Sequence, residues 1–147
     1  ELNINYATVH LLNGLSSLKA ANKAASEIGI KLLGVSVLTS FDDIELEQLG
    51  FKDHIQDQVS RLIKMANQAD LYGVICSPLE VKIIKQIAPN LKCFTPGIRQ
   101  DENKNDQKRT MNARQAFEEG SDCLIIGRPI TDGDPKKNIQ KILSSLN

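Results

Sequence analysis

Gly127-Arg128-Pro129-Ile130-Thr131 follows directly on the apolar run Cys123-Leu124-Ile125-Ile126. A short buried strand that stops at Gly-Arg and turns into a helix offers what a phosphate group needs. Glycine lets the backbone come close, backbone N–H groups point at the anion, and arginine supplies a bidentate cation. A phosphorylated small molecule is therefore the first ligand this sequence suggests, with Gly127 and Arg128 holding it. A Gly-Arg turn is also an ordinary loop, so the segments upstream have to decide. Leu38-Thr39-Ser40 and Thr95-Pro96-Gly97-Ile98-Arg99 each close an apolar run, and the second opens onto the strongly polar stretch Gln100–Lys108. By composition that stretch is a solvated surface loop; beside a phosphate site it reads as a lid that closes over ligand. The Gln107 amide then reaches phosphate or base, and Arg99 adds positive charge.

These residues need elements to position them. Short apolar runs alternate with helix-patterned segments along the whole chain. Strands are expected at Tyr6–Leu11, Leu32–Leu38, Gly73–Cys76, Lys92–Thr95 and Cys123–Ile126. Helices are expected at Leu15–Ile28, Phe41–Gln48, Gln56–Ala69, Glu80–Ile87, Ala113–Glu119 and Pro135–Leu146. Val59, Leu62, Ile63 and Ala66 recur at helical period, as do Val81, Ile84 and Ile87. Asp134-Pro135 reads as an N-cap followed by proline at the first helical position.

Strands that are short, apolar and separated by helices predict right-handed βαβ units in a parallel sheet. In an open doubly wound sheet the phosphate site follows the first strand; in an eight-stranded TIM (β/α)8 barrel it follows the last ones. The five units are therefore read as strands four to eight of a single, incomplete TIM-barrel domain over residues 1–147. The chain opens at Glu1 without a methionine and reaches a strand almost at once. The first three units, about a third of the ~250 residues usual for the fold, are expected to lie outside it. Five strands alone cannot close, so exposed edges and aggregation are expected of such a piece.

Val37-Leu38-Thr39-Ser40, Thr95-Pro96-Gly97-Ile98-Arg99, Asp106-Gln107-Lys108-Arg109 and Ile126-Gly127-Arg128-Pro129-Ile130-Thr131 resemble, in order and spacing, the bacterial orotidine 5′-phosphate decarboxylase family. Val9-His10 with Gly14 looks like that family's fourth-strand segment Val-His-Ala-Ser-Gly-Gly, with Leu11, Leu12 and Asn13 in place of Ala-Ser-Gly. The resemblance implies a cytoplasmic, homodimeric TIM-barrel lyase of pyrimidine synthesis that converts orotidine 5′-phosphate to UMP and carbon dioxide without metal or organic cofactor. It also implies that Gly127 and Arg128 hold the phosphate, that Gln107 bridges phosphate and pyrimidine, that Arg99 belongs to the same loop, and that Thr39 hydrogen-bonds the ring.

One departure matters: the family's catalytic Asp-x-Lys-x-x-Asp occurs nowhere in this chain. No catalytic residue is assigned within it, and these residues alone are expected to be inactive. Two other readings stand beside the decarboxylase. One is a magnesium-dependent sugar-phosphate decarboxylase or synthase of a sister family; the other is a non-catalytic nucleotide-binding barrel fragment.

The remaining residues favour structural roles. His10 is expected to be a packed, hydrogen-bonded histidine, and His54 to face solvent. Asp42, Asp43, Glu45 and Glu47 read as the exposed face of a short helix and not as a metal site. Ser77, Pro78 and Glu80 read as a helix cap. Lys108 and Arg109 close the polar loop and either is free to pair with acids. The 18 basic and 18 acidic residues balance, which argues against nucleic acid or an anionic membrane as partner. No apolar run approaches membrane-spanning length. Cys76, Cys93 and Cys123 fit neither a zinc nor a disulfide pattern and are expected to be buried thiols.

Overall fold

The computed structural model describes residues 3–99 and 109–146. Five parallel strands lie side by side in chain order: β1 (Tyr6–His10), β2 (Lys31–Val35), β3 (Gly73–Ile75), β4 (Lys92–Thr95) and β5 (Cys123–Leu124). Each crossover carries helix: α1 (Leu15–Glu27), then α2 (Asp43–Gln48) with α3 (Ile55–Gln68), then α4 (Val81–Ile87), then α5 (Ala113–Glu118). After β5 come α6 (Arg128–Thr131) and α7 (Pro135–Ser145). A doubly wound sheet reverses its strand order at a switch point. This one never reverses, and a sheet that grows in one direction with helices between its strands is an arc of a (β/α)8 barrel.

The apolar stripes settle the packing. Val59, Leu62, Ile63 and Ala66 of α3 and Val81 and Ile84 of α4 are buried in one large core with Leu11, Leu18, Leu32, Val74 and Cys93. A smaller cluster of Ile98, Ala113, Ala116 and Ile142 lies under β5 and α7. Two glycines make the sheet's close approaches possible. A Cβ on Gly34 would overlap the Leu11 side chain, and one on Gly73 would meet the Lys92 carbonyl oxygen. Leu11 thus fills room that Gly34 leaves.

Four strands end before their apolar runs do, β3 among them, which stops at Ile75 and not at Cys76. β2 stops at Val35 and β5 at Leu124, while Leu11–Asn13 form a 3-10 turn. A strand lasts only as long as its neighbour offers partners, and the last β2–β3 pair is Val35 with Ile75. Helix α2 starts at Asp43, because Asp42 is the N-cap: its carboxylate accepts from the Glu45 N–H while Glu45 accepts from the Asp42 N–H, both at 3.0 Å. His10 is a correction. It is exposed, on the face of β1 that it shares with Tyr6 and Thr8. Cys76 and Cys93 are buried, whereas Cys123 is only half-buried; all three are free thiols. Among the described residues no helix is long and apolar enough to cross a membrane.

Asp122 ties the two cores together just before β5. Its carboxylate accepts from Lys85 Nζ at 2.6 Å, Lys92 Nζ at 2.9 Å and the Cys93 N–H at 2.9 Å. Burial alone would raise this carboxyl, but those three donors outweigh it and hold the pKa at about 2. A depressed carboxyl stabilises the fold fully above its ordinary value near 3.8, and loses that contribution as pH falls through about 2. Asp122→Asn is therefore expected to cost about 1 kcal/mol at pH 7 in chemical denaturation, solvent screening reducing what the shift alone would give, with the difference from the unmodified protein shrinking towards pH 2.

Candidate functional site

The carboxyl ends of the strands form one rim, and every site residue of the sequence analysis that lies in the described region follows a strand onto it. Thr39 follows β2 and is buried at 8 % exposure. Thr39, Cys76 and Pro96 border a small cavity of about 50 Å³, so the segments after β2, β3 and β4 meet there. Arg99 follows β4. Its N–H donates to the Met111 carbonyl at 3.0 Å and its Nη1 to the Ile98 carbonyl at 2.8 Å, while the Met111 N–H donates to Gly97 at 3.2 Å. Gly97 makes the turn into this pairing with φ +81°. The chain before and after the polar loop is thereby pinned together. Gln107 and the rest of 100–108 lie outside the described residues.

Gly127 and Arg128 follow β5 and are exposed. Arg128 opens α6, and the Ile130 and Thr131 N–H groups donate back to the Gly127 carbonyl at 2.8 and 3.2 Å. Asn138 Nδ2 donates to the Ile130 and Asp132 carbonyls at 3.0 and 2.8 Å, fastening this short helix to α7. No described atom lies within 4 Å of where a Gly127 Cβ would sit. Packing against this chain therefore does not require glycine at 127.

The most heavily bonded group on the rim joins the Ser77–Glu80 cap to Arg109. Ser77 and Glu80 make the expected capping box, with Leu79 N–H donating to Ser77 Oγ at 3.3 Å and Ser77 N–H to Glu80 Oε2 at 3.1 Å. The other Glu80 oxygen takes Nη1 of Arg109; the Glu80 side chain is buried at 4 % exposure and that of Arg109 is largely covered at 12 %. Nη2 of Arg109 donates to the Val37 and Leu38 carbonyls at 3.1 and 2.8 Å. The Arg109 N–H donates to the Thr39 carbonyl at 3.3 Å, and its carbonyl accepts from Ser77 Oγ at 3.4 Å. Arg109 thus does pair with an acid, as its place at the end of the loop allowed.

This pair is not a source of stability. Burial raises the Glu80 carboxyl, and the Arg109 charge, the Ser77 N–H and the hydrogen bond from Arg109 only partly bring it back down. Arg109 Nε is buried and has no hydrogen-bond partner among the described residues. Buried ion pairs are often neutral or costly compared with apolar packing, and what they fix is geometry.

Other polar groups are accounted for by structure. His54 Nδ1 meets Asp43 Oδ2 at 3.1 Å, and Asp43 Oδ1 accepts from the Ile55 N–H at 2.8 Å, so Asp43 caps α3 from outside it. The hydrogen bond and charge of Asp43 raise the exposed His54 ring above its ordinary value. Among the described residues no group of three or more His, Cys, Asp or Glu is placed to hold a metal. A cleft of about 680 Å³ runs outside the rim past Asp43, His54, Lys82 and Arg109, and an apolar pocket of about 210 Å³ lies beside His10, Phe41 and Leu62.

Fold and rim together define a barrel protein of the parallel (β/α) class, in which the carboxyl ends of the strands carry the candidate site residues. The sequence model of the orotidine 5'-phosphate decarboxylase / HUMPS family matches residues 1–142, and the chain belongs to that family. Orotidine 5'-phosphate decarboxylase of Ehrlichia canis is 40% identical over an alignment covering 100% of this chain and 65% of that protein. The Dichelobacter nodosus enzyme is 42% identical over 99% of this chain and 66% of its own length. The crystal structure of orotidine 5'-phosphate decarboxylase from Lactobacillus acidophilus superposes with a TM-score of 0.79 at 35% identity, covering 98% of this chain and 64% of that one. The Sulfolobus solfataricus orotidine 5'-monophosphate decarboxylase, at 17% identity and a TM-score of 0.69, shares the fold. The chain spans about 65% of the length of the curated relatives it matches.

Glu80→Ala is expected to destabilise the protein by about 3–5 kcal/mol, because it leaves the Arg109 guanidinium buried without its counter-charge. Glu80→Gln also removes the counter-charge, and with its one oxygen on the Ser77 N–H it turns an amide NH2 toward Arg109, so it is expected to cost only somewhat less in the same denaturation experiment.

Proposed function

We propose that this chain is the ligand-holding, C-terminal part of a single-domain barrel enzyme that decarboxylates orotidine 5′-phosphate to UMP, acting as a cytoplasmic homodimer. The observation that carries this reading is the 40% identity to a decarboxylase along the whole chain. The rim supports it. Arg128, with the Gly127 and Arg128 N–H groups, grips the phosphate; the space where a Gly127 side chain would stand is open to a ligand. Thr39 offers its hydroxyl to the pyrimidine from a segment held rigid by Arg109. Arg99 adds charge at the base of the polar loop, and Gln107 enters the site on the strength of its motif.

Loss of carbon dioxide leaves an electron pair on a ring carbon that delocalises it poorly. A lysine must stabilise that charge and deliver a proton, and a carboxylate must crowd the departing one. This chain lacks the Asp-x-Lys-x-x-Asp that would do so, and its part is to bind and orient. Phosphate contacts lie far from the reacting carbon, yet their binding energy assists the reaction when it is realised in an organised, closed complex.

The test is turnover of orotidine 5′-phosphate by the full-length protein, followed by the loss of its ultraviolet absorbance. Residues 1–147 alone are expected to give none. Magnesium-dependent activity on a sugar phosphate without orotidylate turnover would assign the protein to the sister enzymes instead. UMP binding by a full-length protein with no turnover would make it a binding protein. In the active enzyme, Arg128→Ala is expected to lower kcat/KM about 10- to 100-fold, raising KM and lowering kcat together. An unchanged kcat at saturation would mean that the grip supplies uniform binding only.

A further inference from the structure

We infer that Arg109 is a positioning residue for the pyrimidine end of the site, setting the place of Thr39 through the carbonyls of Val37, Leu38 and Thr39. The inference rests on the nucleotide reading above and goes beyond it by naming what holds the ring-binding residue.

Sheet pairing cannot hold Thr39. The last contacts of the β2 chain with β3 are made by Ser36, whose N–H and Oγ donate to the Ile75 carbonyl at 3.0 and 3.1 Å. The next three carbonyls run on past the end of the neighbouring strand. All three turn to Arg109: two to one end of its guanidinium, one to its backbone N–H. The other end of the guanidinium is held by Glu80, which is itself fixed as the capping partner of Ser77. Ser77 Oγ closes the circuit on the Arg109 carbonyl. The backbone carrying Thr39 is thus located by Arg109, through its planar side chain and its N–H together, while the Phe41 N–H closes a local turn on the Leu38 carbonyl at 3.0 Å.

A planar fork is needed for this, and a point charge does not replace it. Lysine at 109 would keep the attraction to Glu80 but could not also span two carbonyls in fixed directions. Arg109→Lys therefore loosens the Thr39 segment while leaving the buried charge balanced. Gly127 and Arg128 lie on β5 and α6, away from this circuit.

The experiment is a pair of ligand titrations on the full-length protein, with UMP and with ribose 5-phosphate, which carries the phosphate but no ring. Arg109→Lys is expected to weaken UMP about tenfold and ribose 5-phosphate less than about twofold. In a Thr39→Ala background the same change should weaken UMP less than about twofold, since the contact it positions is gone. Glu80→Gln, which keeps the Ser77 cap, is expected to weaken UMP about threefold with ribose 5-phosphate again unaffected, and it serves if the lysine variant does not fold. Equal losses for both ligands, or an undiminished loss in the Thr39→Ala background, would overturn the inference and leave Arg109 a structural staple. Failure of the unmodified protein to bind UMP at all would overturn the nucleotide reading instead.

Discussion

A carboxylate buried beside the ends of two strands has to meet donors, and the way Glu80 meets them organises the rim. One oxygen closes a helix cap on Ser77; the other takes Arg109, which reaches across to the chain leaving β2. Through these two side chains the turn after β3, the segment after β2 and the residue that ends the polar loop share one set of hydrogen bonds. Remove either charge and the other is stranded in a low-dielectric site, so the two are worth much less apart than together. Burial raises the Glu80 carboxyl in spite of Arg109. Such a pair is poorly explained as a stabiliser and well explained as a device for placing backbone.

The proposed site straddles two packing units. Val37, just before Thr39, belongs to the large core with α3 and α4, whereas Gly127 and Arg128 adjoin the small cluster of Ile98, Ala113, Ala116 and Ile142. Between them stand the two β4–β5 residue pairs, Phe94 with Cys123 and Thr95 with Leu124. So short a ladder is a weak hinge by itself. Asp122 reinforces it at the amino end of β5, by taking donors from α4 and β4. The Ile98–Met111 bridge reinforces it at the carboxyl end of β4. The spacing of the two halves of the rim is thereby fixed from below and from above.

Period and alternation made the architecture legible. The run Lys92–Thr95 is a strand as read, and the stripes on α3 and α4 are buried as read, because those signals are local and the core rewards them. The errors share one cause. Leu32–Leu38 and Cys123–Ile126 are apolar for longer than they are strands, since strand length is set by where the neighbour stops, and that information lies elsewhere in the chain. His10 reads as packed from its place at a strand end, yet it lies on the exposed face of β1 with Tyr6 and Thr8. The Glu80–Arg109 pair joins residues 29 apart in the chain, a contact that no local spacing announces. That Arg109 can pair with an acid is legible from its place at the end of the polar loop; that the acid is Glu80, already sufficient as a helix cap, stays concealed.

That concealment bears on how binding and chemistry divide in a barrel. Residues that touch ligand must sit at strand ends, where sheet hydrogen bonding has just run out, so the backbone most in need of precision is the backbone least held by the fold. Regular structure cannot supply the missing bonds there, and water would supply them without fixing a direction. A buried guanidinium can do both, because its donors are rigidly spread in one plane and its charge, once matched, keeps it in place. On this argument the costly ion pair and the unfinished strand belong together. The end of β2 leaves three carbonyls beyond the sheet, and the pair on the neighbouring turn is what makes them a defined platform.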